Sequence, residues 1–513
     1  MFRTITSGAL HGLDCYLTHV EVDTSQGLPV FELVGSVNGE VKEARERVRV
    51  ALKNTGYRIP PVRITVNLSP ANIRKEGAAF DLAIALGILS SLQMLPKNIC
   101  EKKMVLGELG LDGQVRAVKG VLPSVLEARR NGYECCLIPY DNYGEGICVE
   151  GIRIYGCQSL EDAVAYVRAE ESTQREWEKQ RRQQWQESAA GEEPKESDVD
   201  FQDIRGQEGA IRAALIASAG FHHLLMIGPP GAGKTMIAKR VPTILPPLTY
   251  EESLEVSKIY SIAGQLDVRR GLVRKRPMFQ PHHTITEYAM AGGGSIPRPG
   301  VISLSHRGVL FLDELPEFRR EVLEILRQPL EDKEIHIART GGHYIYPASF
   351  LLLAAMNPCP CGYYPDRNRC RCTPGEIRRY QMKISGPIYD RIDLCVTLAG
   401  VDYEKILNGK RGVDSATLRK QVETARAIQA ERYKGSDVTF NSDLHAEAVT
   451  QYCRMSPEAE AILRLAYETT GFSARSYHKI LKVARTIADL EEAEKIEEAH
   501  IAEAIMYQNN EWQ

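Results

Sequence analysis

No stretch of this 513-residue sequence approaches the roughly 18 consecutive apolar residues that a membrane-crossing helix needs, which excludes a protein that spans a bilayer by helices. There is no excess of one charge sign: the formal net charge is −3, and that balance points to no partner by itself. No long tandem repeat is visible, so a solenoid is not expected. Cysteine is thin, twelve residues in all, and crowded in one place only. The first 25 residues lack a basic start followed by an apolar stretch, so no secretory leader is read. The expected setting is therefore cytoplasmic and reducing, without a disulfide framework.

Hydrophobic residues at 43% and charged residues at 26% are an ordinary globular balance, which excludes a fibrous or wholly disordered chain. The length is too great for one core, and about two to four domains are expected. Composition changes sharply once. From about Glu170 to Asp198 the chain is dense in charge and glutamine and almost free of aliphatics. Such a stretch cannot bury enough apolar surface to fold alone, so it reads as a solvated helix decaying into a linker. Before it, Arg63–Asn67, Met104–Leu106 and Cys136–Ile138 read as strands, with helices over Phe80–Leu92 and Val121–Asn131. After it, Leu224–Ile227, Val309–Leu312 and Phe350–Met356 are short apolar runs ending in polar or glycine-rich loops, as buried parallel strands do. From about 402 onward, apolar residues at three- and four-residue spacing predict helices over Ala416–Tyr433, Pro457–Thr469, Ser476–Leu490 and Ile496–Tyr507. The expected division is 1–168, a charged linker 169–199, a core 200–400 and a helical region 401–513.

The chemistry centres on Gly228, Pro229, Pro230, Gly231, Ala232, Gly233, Lys234 and Thr235, a full G-x-x-x-x-G-K-[ST] element between an apolar strand and a helix. Glycines let backbone amides converge on phosphate oxygens, and the following helix N-terminus favours the anion. Lys234 offers a point charge to the β- and γ-phosphates, and the Thr235 hydroxyl can ligate Mg²⁺. Downstream, Val309–Leu312 runs into Asp313 and Glu314, so a buried strand delivers two carboxylates to the carboxyl end of the sheet. Asp313 is placed to hold Mg²⁺ and Glu314 to polarise the attacking water. The next apolar strand ends at Asn357, which can touch the γ-phosphate or the water, or simply cap the strand before Pro358. Arg391 lies between two aspartates in GPIYDRIDL, and Arg475 opens a helix in SARS. Either can neutralise charge on a γ-phosphate, on its own or a neighbouring subunit; a surface salt bridge is the plainer alternative.

Cys359-x-Cys361 and Cys370-x-Cys372 are eight residues apart. Residues i and i+2 of an extended chain point the same way, so each pair can offer two thiolates to one ion. A structural Zn²⁺ site is the natural product, with four reduced thiols or an iron–sulfur cluster as alternatives. His282 and His283 can be metal ligands, nucleic-acid contacts or a structural pair. Residues 201–400 hold 25 Lys and Arg against 19 Asp and Glu, a surplus of six, concentrated at Arg269–Arg276 and from Arg367 to Lys383. Basic clusters of this kind bind phosphates in a salt-sensitive way or help subunits pack.

These motifs together resemble an AAA+ ATPase of the magnesium-chelatase-like group, and more closely the bacterial ComM/YifB family. The resemblance rests on GPPGAGKTMIAKRVPTILPPL (228–248), RPMFQPHHTIT (276–286), AGGGSIPRPGVISLSHRGVLFLDELPEF (291–318), AAMNPCPCG (354–362), GPIYDRIDL (386–394) and FSARSYHKILKVARTIADL (472–490). GLPVFELVG (27–35) and RITVNLSPANIRKEGAAFDLAIALGIL (63–89) match the family's N-terminal domain, so coverage is nearly complete. The implied fold class is α/β: a parallel-sheet AAA+ core, a helical C-terminal lid and an N-terminal Lon-protease-like α+β domain. The resemblance implies a hexameric ring with ATP and Mg²⁺ between subunits, Asp313 and Glu314 as the second Walker motif and Asn357 as first sensor. It makes Arg391 the arginine finger and Arg475 the second sensor, both reaching a neighbour's site. Segments 291–300 and 335–347 resemble loops that face a central pore. The family tends to carry Gly-Glu where this chain has Gly300-Val301, which touches only a local polar contact. Lon uses a Ser–Lys dyad. The serine's place falls at Ala79 and the lysine's at Leu122, so the implied scaffold has no peptidase chemistry.

The function this implies is an ATP-driven DNA motor for branch migration of incoming single strands in natural transformation, with single-stranded or branched DNA as partner and no membrane. A magnesium-chelatase-like metal-insertion or protein-remodelling ATPase is the alternative; a protease lacks its dyad.

Overall fold

A computed structural model describes residues 1–508 apart from 36–37, 73–74, 190–198, 268, 270, 295–296, 340–341, 401–411 and 471–472. The tip of the 335–347 hairpin, part of the 291–300 segment, Arg270, Phe472 and the first residues expected for the lid therefore lie outside the described residues.

The N-terminal part is a seven-stranded sheet in the order Phe31–Val34, Arg63–Ser69, Asp14–Ser25, Arg3–His11, Lys103–Val105, Cys135–Pro139, Arg153–Cys157. The Arg3–His11, Asp14–Ser25 and Arg63–Ser69 strands pair antiparallel, and the other pairings are parallel. Helix Asp81–Ser91 is buried along its whole length because its sequence is apolar on every side. The charged segment forms a helix that is exposed over most of its surface, with one side docked on the N-terminal part. Helix Glu171–Ala189 packs Trp177 onto the N-terminal core, and Arg181 pairs with Asp162 at 2.8 Å. Two tryptophans supply the apolar stripe that an aliphatic count overlooks, since Trp185 also packs beside Tyr143.

The central part is a five-stranded, wholly parallel sheet in the order Met278–Phe279, Val309–Leu312, Leu351–Met356, Leu224–Ile227, Leu394–Thr397. Its three middle strands are buried residue by residue, as continuous apolar runs on a sheet covered on both faces must be. Leu353 sits in register with both Leu224 and Phe311 at the centre of this core. We expect Leu353→Ala to cost about 2–5 kcal/mol, read as an earlier urea transition of the central part.

Helices Ser415–Arg432, Pro457–Thr470, Ala474–Leu490 and Glu498–Met506 follow. Leu418, Val422, Ile480, Val483, Ile487 and Ile501 carry the core of the parallel sheet on into this helical part without a break. No helix among the described residues is long and apolar enough to cross a membrane. The N-terminal and central parts meet through Glu145. Its buried carboxylate accepts from Ser261 Oγ at 2.6 Å and from Asn142 Nδ2 at 2.8 Å. Burial raises its pKa despite these donors. His11 packs on Tyr344 of the hairpin Glu334–Arg339/Gly342–Pro347, ring centroids 4.6 Å apart.

Candidate functional site: the carboxyl end of the parallel sheet

Strand Leu224–Ile227 stops at Gly228, where the chain loops before helix Lys234–Ile244 begins. The turn needs glycine in a strict sense. Gly231 and Gly233 have φ of +79° and +92°, a region that side chains with a Cβ avoid. Gly233 is also the residue that caps the helix N-terminus, so the loop's amides and the helix dipole face the same space. Lys234 folds back into that space: its Nζ donates to Gly228 O at 2.6 Å, Pro229 O at 3.1 Å and Asn357 Oδ1 at 3.1 Å. Burial lowers the Lys234 pKa, while Asp313 and Glu314 act to raise it. A cation held only by neutral carbonyls and one amide oxygen, on a helix N-terminus, is a site built for an anion.

The next two strands of the sheet bring the other groups. Thr235 Oγ1 donates to Asp313 Oδ2 at 2.8 Å, so hydroxyl and carboxylate stand where one Mg²⁺ can be held by both. Glu314 adopts the left-handed conformation, φ 52°, and its amide donates to Asp313 Oδ1 at 3.0 Å. The Glu314 side chain is largely exposed, on the solvent-facing side of the site. Asn357 follows the Leu351–Met356 strand directly and reaches Lys234. Lys234, Thr235, Asp313, Glu314 and Asn357 thus meet at the carboxyl ends of three neighbouring strands.

The two arginines do not join them. Arg391 precedes strand Leu394–Thr397, and so sits at the opposite edge of the same parallel sheet. Four strand residues separate the two edges by about 13 Å. Arg391 and Arg475 converge instead on one oxygen, Glu331 Oε1, with Arg475 Nη2 at 3.1 Å. Arg475 also lies 3.8 Å from Asp390. The pairing with Arg391 first, and with Arg475, depresses the Glu331 pKa. They line a cleft of about 280 Å³ that also holds Asp393, Lys479 and Lys482. Arg391 Nε is buried there without an acceptor among the described residues.

Three contacts lay beyond sequence reasoning. His283 Nδ1 stands 3.6 Å from Glu314 Oε2, which places the histidine beside the acid pair. Glu331 gave no signal of its own. Tyr346 OH donates to Pro297 O at 2.8 Å, so the 291–300 segment and the 335–347 hairpin touch, and Tyr288 just before that segment lies under Arg339 at 5.6 Å. The signal for the last was faint but present: an exposed tyrosine just before the triple glycine. Ala79 and Leu122 fall together in one apolar cluster with Val121, Val125 and Tyr143, and neither offers a hydroxyl or an amine.

A glycine loop between strand and helix, faced by two acids from the next strand but one of the same parallel sheet, defines the chain's central part as a phosphate-loop ATPase fold of the AAA+ class. Comparison with known proteins agrees. A family described as "Magnesium chelatase, subunit ChlI" matches residues 200–406, and "Subunit ChlI of Mg-chelatase" matches 20–142. "Magnesium chelatase, subunit ChlI C-terminal" matches 412–508. Competence protein ComM of Haemophilus influenzae is 41% identical over 98% of this chain and 96% of its own length. YifB of Escherichia coli is 39% identical over 95% and 93%. Lon protease 2 of Bacillus subtilis is 26% identical over 51% of this chain and 50% of its own. The chain belongs to the ComM/YifB family of magnesium-chelatase-like AAA+ ATPases. That family implies ATP and Mg²⁺ as ligands, which the donor set at Lys234, Thr235 and Asp313 fits.

Proposed function

We propose that the protein is a cytoplasmic, ATP-driven hexameric motor on single-stranded or branched DNA, acting in recombination of incoming DNA during natural transformation. The observation that carries this reading is the separation of the two arginines from their own chain's phosphate loop. A site that lacks its arginine in cis is completed by a second copy, and repeating that contact head to tail closes a ring. The competence role rests on the name of the Haemophilus influenzae relative.

In this reading Lys234 binds the β- and γ-phosphates, and Thr235 with Asp313 holds Mg²⁺, which neutralises phosphate charge when bound. Glu314 takes a proton from the attacking water, and His283 restrains its carboxylate. Asn357 orients the γ-phosphate end. Arg391 and Arg475 of the adjoining copy leave Glu331 and meet the developing charge. The paired loops carrying Tyr288, Arg298 and Arg339 are the DNA-contacting surface: aromatic faces accept bases and guanidiniums meet phosphates. Cys359, Cys361, Cys370 and Cys372 hold a structural Zn²⁺.

The test is the ATPase rate with no DNA, single-stranded DNA, duplex and a four-way junction, with Lys234→Ala as blank. We expect clear stimulation, greatest on single-stranded or branched DNA and weakening with salt. A rate indifferent to every DNA would sink the motor and keep the ATPase. The matches to magnesium chelatase favour a second reading, metal insertion or protein remodelling, which predicts stimulation by a tetrapyrrole or a protein instead.

A further inference from the structure

Only Pro358 separates Asn357 from Cys359, the first of the four clustered cysteines. The chain then turns so that the four sulfurs all lie within 4.8 Å of one another. Cys359 Sγ is 3.3 Å from Cys361 Sγ and 3.7 Å from Cys370 Sγ. Metal–sulfur bonds of about 2.3 Å in a tetrahedron put sulfurs about 3.8 Å apart, whereas a disulfide needs about 2.05 Å. The spacing therefore suits four ligands on one ion. Ile377 and Tyr364 pack against the cysteines, of which Cys359 and Cys370 are buried and Cys361 and Cys372 half-buried. Four thiolates on a divalent cation leave a charge of −2, and the same loop carries Arg367, Arg369 and Arg371 to balance it. Arg367 and Arg369 are each held over a tyrosine ring, Tyr364 and Tyr363, at 5.2 and 5.6 Å.

The loop is also in contact with the phosphate loop. Gly362, between the two cysteine pairs, has φ of +87°. A Cβ there would come within 2.6 Å of Pro230 Cδ and 3.8 Å of Asn357 Cγ. Gly362 backbone thus lies directly on Pro230 and beside the residue that holds Lys234. On the other side, Gln381 Nε2 donates to Pro358 O at 3.3 Å. The loop is rich in proline and arginine, its turns are held by Gly362 N donating to Cys359 O and Cys370 N to Asp366 O, and its small buried cluster consists of the cysteines with Ile377 and Tyr364.

We propose that the four cysteines bind one soft divalent cation of the zinc class with no open coordination position, and that this cation braces the phosphate loop, so that its occupancy sets nucleotide affinity. The coupling rests on reading Gly228–Thr235 as the ATP site. Thiolates select such a cation over Mg²⁺, so the two metals of the core do not exchange places. Loss of the cation frees Gly362 from Pro230 and Asn357 from Lys234, and the loop's amides then no longer converge.

The experiment uses the full chain without DNA. Metal analysis counts the bound ion, and Co²⁺ exchange reports its ligands through thiolate-to-metal absorption. A fluorescent ATP analogue reports affinity before metal removal, after it, and after Zn²⁺ is returned. We expect one ion per chain, about tenfold weaker nucleotide binding when it is removed, and recovery on return. The double substitution Cys370→Ser/Cys372→Ser should behave as the stripped protein. Gly362→Ala keeps all four ligands, so it should stay metal-loaded and still lose nucleotide affinity by a similar factor, which separates the brace from a folding defect. No bound ion and no cobalt–thiolate spectrum overturns the site. A stoichiometric ion whose removal, like Gly362→Ala, leaves nucleotide affinity unchanged overturns the brace. Metal-loaded protein that binds no nucleotide at all overturns the ATP-site reading itself, and the coupling with it.

Discussion

A Glu314→Gln variant is expected to bind ATP nearly as well as the parent protein and to hydrolyse it about 10²–10⁴-fold more slowly. The substitution keeps the shape of the side chain and the left-handed backbone that the turn after Asp313 requires. It leaves the Thr235–Asp313 contact and the three donations of Lys234 untouched. What it removes is one negative charge and one proton acceptor, 3.6 Å from His283. Lys234→Ala is expected to differ in kind, because it withdraws the one cation inside the loop and lowers nucleotide affinity as well as rate. Steady-state ATPase measurements beside fluorescent-nucleotide binding separate the two. Turnover of Glu314→Gln within twofold of the parent would remove this residue from the proposed chemistry.

Arg391→Ala is expected to lower the ATPase rate about 10³–10⁵-fold, the usual worth of an arginine supplied to a γ-phosphate. Its position makes a sharper expectation. Arg391 and Lys234 lie at opposite edges of one parallel sheet, so no side-chain rotation brings them together. Mixing Arg391→Ala with Lys234→Ala, each inactive alone, should therefore restore activity, because a Lys234-intact loop can face an Arg391-intact neighbour. Random mixing of equal amounts in a closed ring places about a quarter of the sites in that combination. Recovery toward that fraction supports action between copies. A mixture as inactive as its components would mean that Arg391 matters through its pair with Glu331 inside one chain.

Much of the candidate site was legible because its parts are local. A strand, a turn and a helix that follow one another in sequence carry their own geometry, so Gly228–Thr235 could be read without a fold. The buried strands were legible for a similar reason: only a sheet covered on both faces tolerates uninterrupted runs such as Leu351–Met356. The N-terminal sheet was less so. Arg3–His11 mixes threonine, serine and glycine with apolar residues, and its long antiparallel partnership with Asp14–Ser25 leaves no strong alternation to see. The helix Glu171–Ala189 was legible as a solvated helix, but not the docking of its one half-buried side, which rests on two tryptophans within a polar count.

What the sequence determined by itself is therefore the chemistry available: the anion loop, the acids Asp313 and Glu314 at a strand end, Asn357 at the next, and four cysteines in one short segment. What only the tertiary structure decided is which of these groups meet. Glu331 and Arg475 are 144 residues apart in sequence and joined at 3.1 Å, and no local pattern announces that. The same holds for His283 beside Glu314 and for Gly362 against Pro230. Periodicity and motif spacing act through neighbouring residues and so specify backbone elements. Contacts between distant elements follow from how those elements share a core, and that is set only when the whole chain has packed.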